Sequence, residues 1–181
     1  GIDETAGTST ITGVDIVNTD VGIRLAGAGE TTVEYPRVIN AADTGILVES
    51  DANEIIGAEV LRSATGIELL GEDNEVRETT VRNSPDYGIR VTEVPGNLGN
   101  DPSAVINGSV LESNGVSVFS DGSAVNATGN WWGTPTPVEN VDWTARSSLD
   151  AGDPLDTRPN SDFTIAKSGL PNAVTRGSTF T

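Results

Sequence analysis

The chain has 181 residues, enough for one domain with an appended segment, and carries 27 acidic against 10 basic residues for a net charge of −17. Cys, His and Met are all absent, which excludes disulfides, thiolate or imidazole metal sites, haem and Cys- or His-based catalysis. So negative a field argues against DNA, RNA and anionic membranes as partners, and no apolar run is long enough to span a bilayer.

In chain order, residues 1–8 are polar and Gly-containing and are expected to be a lead-in or cap. A periodic region then runs over 9–134. One phrase recurs through it: Gly22-Ile23-Arg24-Leu25, Gly45-Ile46-Leu47-Val48, Gly66-Ile67-Glu68-Leu69, Gly88-Ile89-Arg90-Val91 and Gly115-Val116-Ser117-Val118. Its glycines are spaced by 23, 21, 22 and 27 residues. Apolar residues keep step with it at Ile11, Val33, Ile55, Val76, Val105 and Val125, and again at Ile16, Val38, Val60, Val81 and Val110. Two residues after the second set stand Asn18, Asn40, Arg62, Asn83 and Glu112. Because Thr10–Ile16 lacks a preceding Gly-Ile-x-Val, the first coil reads as incomplete, an open end that needs covering.

Apolar residues alternate with variable ones in Gly-Ile-x-Val, which is strand periodicity, and no window carries a helical stripe. A period of about 22 residues with short strands predicts an all-β, right-handed, single-stranded parallel β-helix of about five coils, with rungs roughly 4.8 Å apart. The coils read as Ser9–Glu30, Thr31–Asp51, Ala52–Gly71, Glu72–Ser103 and Ala104–Gly122, with Asn18 stacking over Asn40. The fourth is lengthened by Thr92–Ser103, a turn-rich insertion that brings Asn97, Asn100 and Asp101 forward as candidate ligand contacts.

A sixth coil begins at Ser123 and departs: Asn130 stands where an apolar residue is expected and Trp132 where the turn Asn is expected. Trp131 and Trp132 are read as the plug that seals the stack, with an aromatic ligand platform as the alternative. Residues 135–181 lose the repeat and form an irregular extension. It is expected to pack on the helix or to add a strand to a neighbouring molecule, anchored by Phe163, Ile165, Val174 and Phe180.

The register, the Gly-Ile-x-Val phrase and the closing Gly129-Asn130-Trp131-Trp132-Gly133 resemble the right-handed parallel β-helix repeat proteins. These include relatives of the copper-pathway protein NosD and the carbohydrate-binding and sugar-hydrolysing β-helices. The resemblance implies the fold. It implies no single activity, since the fold carries lyases, hydrolases, adhesins and inert stalks alike. With no His, Cys or Met, every soft copper ligand is missing, and a copper role does not carry over.

Candidate chemistry follows from stacking. Asp20, Asp43 and Asp86 each stand two residues before the repeat Gly. Such a column can be turn chemistry, a site for a hard cation such as Ca²⁺, or an acid–base pair. No other cofactor is expected. The outward row Arg24, Leu47, Glu68, Arg90, with Glu49 beside it, is the candidate ligand face. Its mixed charge reads as a solvated sheet face rather than the basic groove of a polysaccharide lyase. Tyr35 and Tyr87 are too scattered for a stacking platform, and Ser has no activating base. Asn107 and Asn126 begin glycosylation sequons, and Asn107 aligns with Gly13 and Gly57.

Acidic residues spread along a chain whose only lysine is Lys167 suggest adaptation to high salt. The expected function is a non-enzymatic, extracellular structural or adhesive module of a halophile: a surface, filament or virion-fibre subunit that self-associates end to end or by strand addition. The alternatives are a carbohydrate-active enzyme and a glycan-binding module without turnover.

Overall fold

The computed structural model describes residues 1–27, 29–93, 102–120 and 123–133 and the strand Leu149–Asp150. The chain winds as a stack of coils, each with three short strands. The first coil supplies β1 (Ile2–Glu4), β2 (Thr10–Thr12) and β3 (Asp15–Thr19). The second supplies β4 (Ile23–Leu25), β5 (Thr32–Glu34) and β6 (Arg37–Ala41), and the third β7 (Thr44–Val48), β8 (Glu54–Ile56) and β9 (Glu59–Leu61). The fourth has β10 (Thr65–Leu69), β11 (Asn74–Arg77) and β12 (Thr80–Arg82), and the fifth β13 (Tyr87–Val91), β14 (Ser103–Asn107) and β15 (Val110–Glu112). β16 (Val116–Ser120) and β17 (Ala124–Asn126) open a sixth, which ends in a bridge between Trp131 and Val110. β18 (Leu149–Asp150) then pairs with β17.

Strands one coil apart pair in parallel and form three sheets. Sheet A is β1-β4-β7-β10-β13-β16, sheet B is β18-β17-β14-β11-β8-β5-β2, and sheet C is β15-β12-β9-β6-β3. The described residues contain no helix. Side chains alternate in and out of each sheet, so inward residues stack in columns. Ile23, Ile46, Ile67, Ile89 and Val118 form one on sheet A, Val33, Ile55, Val76 and Ile106 one on sheet B, and Val38, Val60, Val81 and Leu111 one on sheet C. All are buried, and each contributes on the order of 1.5–3 kcal/mol from apolar burial. Trp132 follows Leu111 as the buried residue of the last rung.

The repeated glycine has a steric cause. A Cβ on Gly66 would lie 2.3 Å from Val81 Cγ1 and 2.5 Å from the carbonyl oxygen of Gly88. Gly22 and Gly45 are closed off in the same way by the next coil. Here the chain turns from sheet C into sheet A, and its backbone passes against the next rung's valine.

Three corners per coil require the left-handed backbone. One row is Thr8, Glu30, Ala52 and Asp73; a second mixes Gly13, Gly57, Gly108 and Gly129 with Tyr35 and Glu78; a third is Asn18, Asn40, Arg62, Asn83 and Ser113. Each non-glycine member costs about 1–2 kcal/mol, and the inter-coil ladder offsets it.

Several expectations are corrected. Residues 1–8 are not a lead-in before the stack: Ile2 pairs with Ile23 and Glu4 with Leu25, so Gly1-Ile2-Asp3-Glu4 is itself the first repeat phrase and the first coil is complete. From β14 onward the chain is displaced from its expected register. Ile106 rather than Val105 stacks on Val76, Leu111 rather than Val110 on Val81, and Ser113 rather than Glu112 takes the left-handed corner of Asn83. On sheet A, Val118 rather than Val116 stacks on Ile89, and Ser117 rather than Gly115 meets Gly88. Asn107 therefore aligns with Arg77, and Gly108 occupies the corner of Gly13 and Gly57. Asn130 sits beside Ser109 and Trp132 continues the column of Leu111, not the turn-Asn position.

Candidate functional site

Outward side chains of sheet A make one row in register: Asp3, Arg24, Leu47, Glu68, Arg90 and Phe119. Arg24 bridges two coils at once, 3.2 Å from Asp3 and 2.5 Å from Glu49. Arg90 lies 2.9 Å from Glu68. The four sequence candidates on this face are thus two separate ion-paired groups, with Leu47 between Arg24 and Glu68.

The same pairing covers the other sheets. Arg37 joins Asp15 at 3.5 Å and Glu59 at 2.8 Å, Arg82 joins Glu112 at 2.5 Å, and Arg62 donates to Asn40 Oδ1 at 2.8 Å. Arg77 Nε donates to Glu54 at 2.7 Å, and that bond, ahead of the charges of Glu54, Glu75 and Glu78 and against the opposing effect of burial, raises the guanidinium above its ordinary value. Every described arginine is therefore engaged by a side chain of an adjacent coil. Exposed pairs of this kind are worth about 0–1 kcal/mol each, so their consequence is the removal of free cationic groups more than added stability.

Asp20 and Asp43 are neighbours in the stack, the Asp43 N–H donating to the Asp20 carbonyl at 3.0 Å. Asp86 follows Ala64, its N–H donating to that carbonyl at 3.1 Å. All three side chains are exposed. A shallow hollow lined by Asn18, Thr19, Asp20, Asn40 and Ala42 adjoins the first two. Among the described residues no group of three or more acidic side chains is placed to hold a metal ion.

Asn18 and Asn40 form the expected surface ladder, Asn40 Nδ2 donating to Asn18 Oδ1 at 3.0 Å. Of the sequons, Asn107 is half-buried and Asn126 exposed, with Asn126 Oδ1 accepting from the Thr128 N–H and hydroxyl. Trp132 is buried in the last rung, while Trp131 is half-buried and donates from Nε1 to Glu112 at 3.1 Å. Asn97, Asn100 and Asp101, and Phe163, Ile165, Val174 and Phe180, lie outside the described residues.

Two features escaped the sequence. Buried asparagines bond the corners from inside: Asn53 and Asn74 stack at one corner, Asn114 bonds Ser84 and Val81 at a second, and Asn130 bonds Ser109 and Ile106 at a third. The other is aromatic. The Tyr87 and Phe119 rings lie 5.1 Å apart at 48°, and the Arg90 guanidinium sits 5.4 Å over the Tyr87 ring. Tyr87 is therefore not isolated; its partner is Phe119, which the two-residue displacement of β16 brings onto the rung beside Arg90.

Parallel pairing at every rung and inward columns of Ile, Val and Leu define the architecture, and a family model for a right-handed beta helix region matches residues 1–132. The chain belongs to the right-handed β-helix family. No curated protein and no solved structure matches it. Membership in the β-helix family fixes the scaffold; activity belongs to the side chains set on it. On this β-helix the sheet faces carry paired charge and an aromatic corner.

Proposed function

We propose that this β-helix is a non-enzymatic structural and adhesive protein, an extracellular surface or filament subunit of a halophile whose copies associate end to end or by strand addition. The observation that carries this reading is the engagement of every described arginine across coils. Arginines already paired between coils are not free to make the basic groove that an acidic polysaccharide needs. The net charge of −17 opposes association of copies in dilute salt, and molar salt shortens the Debye length to about 3 Å. Light scattering on the chromatographed protein in molar salt tests the proposal. Mass that grows with concentration supports it, and a monomer at every concentration rejects it.

A carbohydrate-active β-helix is the second reading, favoured by the Asp20–Asp43 stack and the hollow beside it. Release of sugars from a polysaccharide panel, abolished by Asp43→Asn, would establish it in place of the first.

A further inference from the structure

We infer that Asn126, and not Asn107, is the acceptor of an N-linked glycan, so that two sequons alike in sequence differ in chemistry. The inference rests on the extracellular reading above. The difference begins with where each sequon meets the corner between sheets B and C. Asn107 stands directly before the corner glycine, Gly108, so its Ser109 lies beyond the turn and is fully buried. Ser109 Oγ accepts from the Thr79 N–H at 3.1 Å and donates to the Asn107 main-chain carbonyl at 2.9 Å. Its N–H donates to Asn130 Oδ1 of the last coil at 3.0 Å. None of these bonds engages the Asn107 side-chain amide, and the hydroxyl is closed off beneath the next coil.

The second sequon ends before its corner, at Gly129. In β17 Val125 points inward, while Ala124 and Asn126 are exposed. Asn126 Oδ1 accepts from the Thr128 N–H at 3.1 Å and from the Thr128 hydroxyl at 2.9 Å. Asn130 holds this turn from inside, donating to the Ala127 carbonyl at 2.8 Å. Among the described residues no acceptor takes the Asn126 Nδ2 hydrogens. Two donors on an amide oxygen stabilise the charge that develops there as the nitrogen gives up a proton, which favours a nucleophilic Nδ2. The co-substrate is an oligosaccharide on a polyprenyl phosphate. Nδ2 bonds to C1 of the first sugar, the C1–O bond to the phosphate breaks with its electron pair, and the amide proton goes to the departing phosphate. Room for the glycan is present. Asn126 borders a shallow hollow on the outer face of sheet B with Glu75, Ser103, Val105 and Ala124. Val105, its neighbour one rung back, is an exposed apolar side chain that the first sugar would cover.

The test has two arms, both read by glycopeptide mass spectrometry. Protein from native material should carry an oligosaccharide on Asn126 and none on Asn107. The full chain made without glycosylation, folded, and incubated with membranes that carry an oligosaccharyltransferase and its polyprenyl-linked oligosaccharide should be modified at Asn126 alone. There Asn126→Gln and Thr128→Val should abolish the modification, and Asn107→Gln should leave it unchanged. Site mapping on the unsubstituted chain decides the matter even if a variant does not fold. Protein found only inside the cell and bare there, yet modified at Asn126 by the membranes, would overturn the extracellular reading and support the acceptor assignment. Asn126 bare in protein taken from the cell surface, or bare in the membrane assay, overturns the inference. So does Asn107 modified as fully as Asn126 in either arm.

Discussion

Inside the stack, Asn53 Nδ2 donates to Asn74 Oδ1 of the next coil at 3.0 Å, and the same oxygen accepts the Asn53 backbone N–H at 2.9 Å. Asn74 in turn donates to the Ser50 carbonyl, and Asn53 Oδ1 accepts from Thr31 N–H. The two amides thereby satisfy turn groups that parallel pairing leaves without partners. Asn130 does the same at another corner, accepting from Ser109 N–H and donating to the Ile106 and Ala127 carbonyls.

Asn74→Leu should therefore be costly although it adds apolar surface. It strands the Asn53 N–H in the interior, while the Ser50 carbonyl keeps the bond from Asn53 Nδ2, and an unsatisfied buried group costs about 1–3 kcal/mol, so a loss of about 1–3 kcal/mol is expected. Asn40→Gly, on the exposed ladder and at a left-handed corner that glycine adopts freely, should stay within about 0.5 kcal/mol. Urea denaturation of both variants makes the comparison, and equal effects would contradict it.

Gly66→Ala tests the steric origin of the repeat phrase. The new methyl meets Val81 Cγ1 at 2.3 Å and a backbone oxygen at 2.5 Å, and neither can withdraw without separating two coils. Overpacking of this kind costs on the order of 1–3 kcal/mol or more. At Gly13, with φ of +61° and open space around it, Ala should cost only about 1–2 kcal/mol, from backbone conformation alone. Thermal melting should place the Gly66 variant well below the Gly13 one.

The displaced register of the fifth coil can be read out by a pair of truncations. Ile106 is 0% exposed and Val105 is 42% exposed. Ile106→Ala should cost about 2–5 kcal/mol and Val105→Ala within about 0.5 kcal/mol. The opposite order in chemical denaturation would restore the register that the 22-residue period suggests.

Why that register misleads is plain from the residues. Between Val91 and Ser103 the insertion removes the period, and Val105 and Ile106 are adjacent apolar residues, so counting alone cannot choose between them. A slip of one residue exchanges the two faces of a strand. Gly115 then imitates the repeat glycine, but the position beside Gly88 is held by Ser117, whose side chain fits there and donates to the Leu111 carbonyl. In the regular coils the columns, the corner asparagines and the outward Arg24–Arg90 row were all legible, because two landmarks kept one period. The inner asparagines were not, since Asn53 and Asn74 read locally as turn formers. Nor was the Tyr87–Phe119 pair, whose spacing follows the true register only.

Acid should loosen the first coil before the rest. Glu4 occupies the rung of Leu25, and its carboxylate accepts from Ala6 and Gly7 N–H, each at 2.9 Å, and from the Ser9 hydroxyl at 3.1 Å. Desolvation pushes its pKa up, but the bonds from Gly7, Ala6, Ser9 and Thr31 outweigh it and hold the carboxyl below its ordinary value. A depressed carboxyl stabilises the fold above its unfolded pKa, about 4.3, and that stability is lost as pH falls through the lower folded value. Amide exchange at Ala6 and Gly7, corrected for intrinsic rates, should rise below about pH 4 and should lose this pH dependence in Glu4→Gln. Exchange that is flat with pH in the unmodified chain would contradict the assignment.

The most direct test of the assembly reading is electron microscopy of the native material in its own high-salt medium. The account predicts filaments or lattices whose repeating unit is this β-helix. Isolated single particles at every concentration and salt would contradict it, and would shift attention to the Asp20–Asp43 column as a site of chemistry.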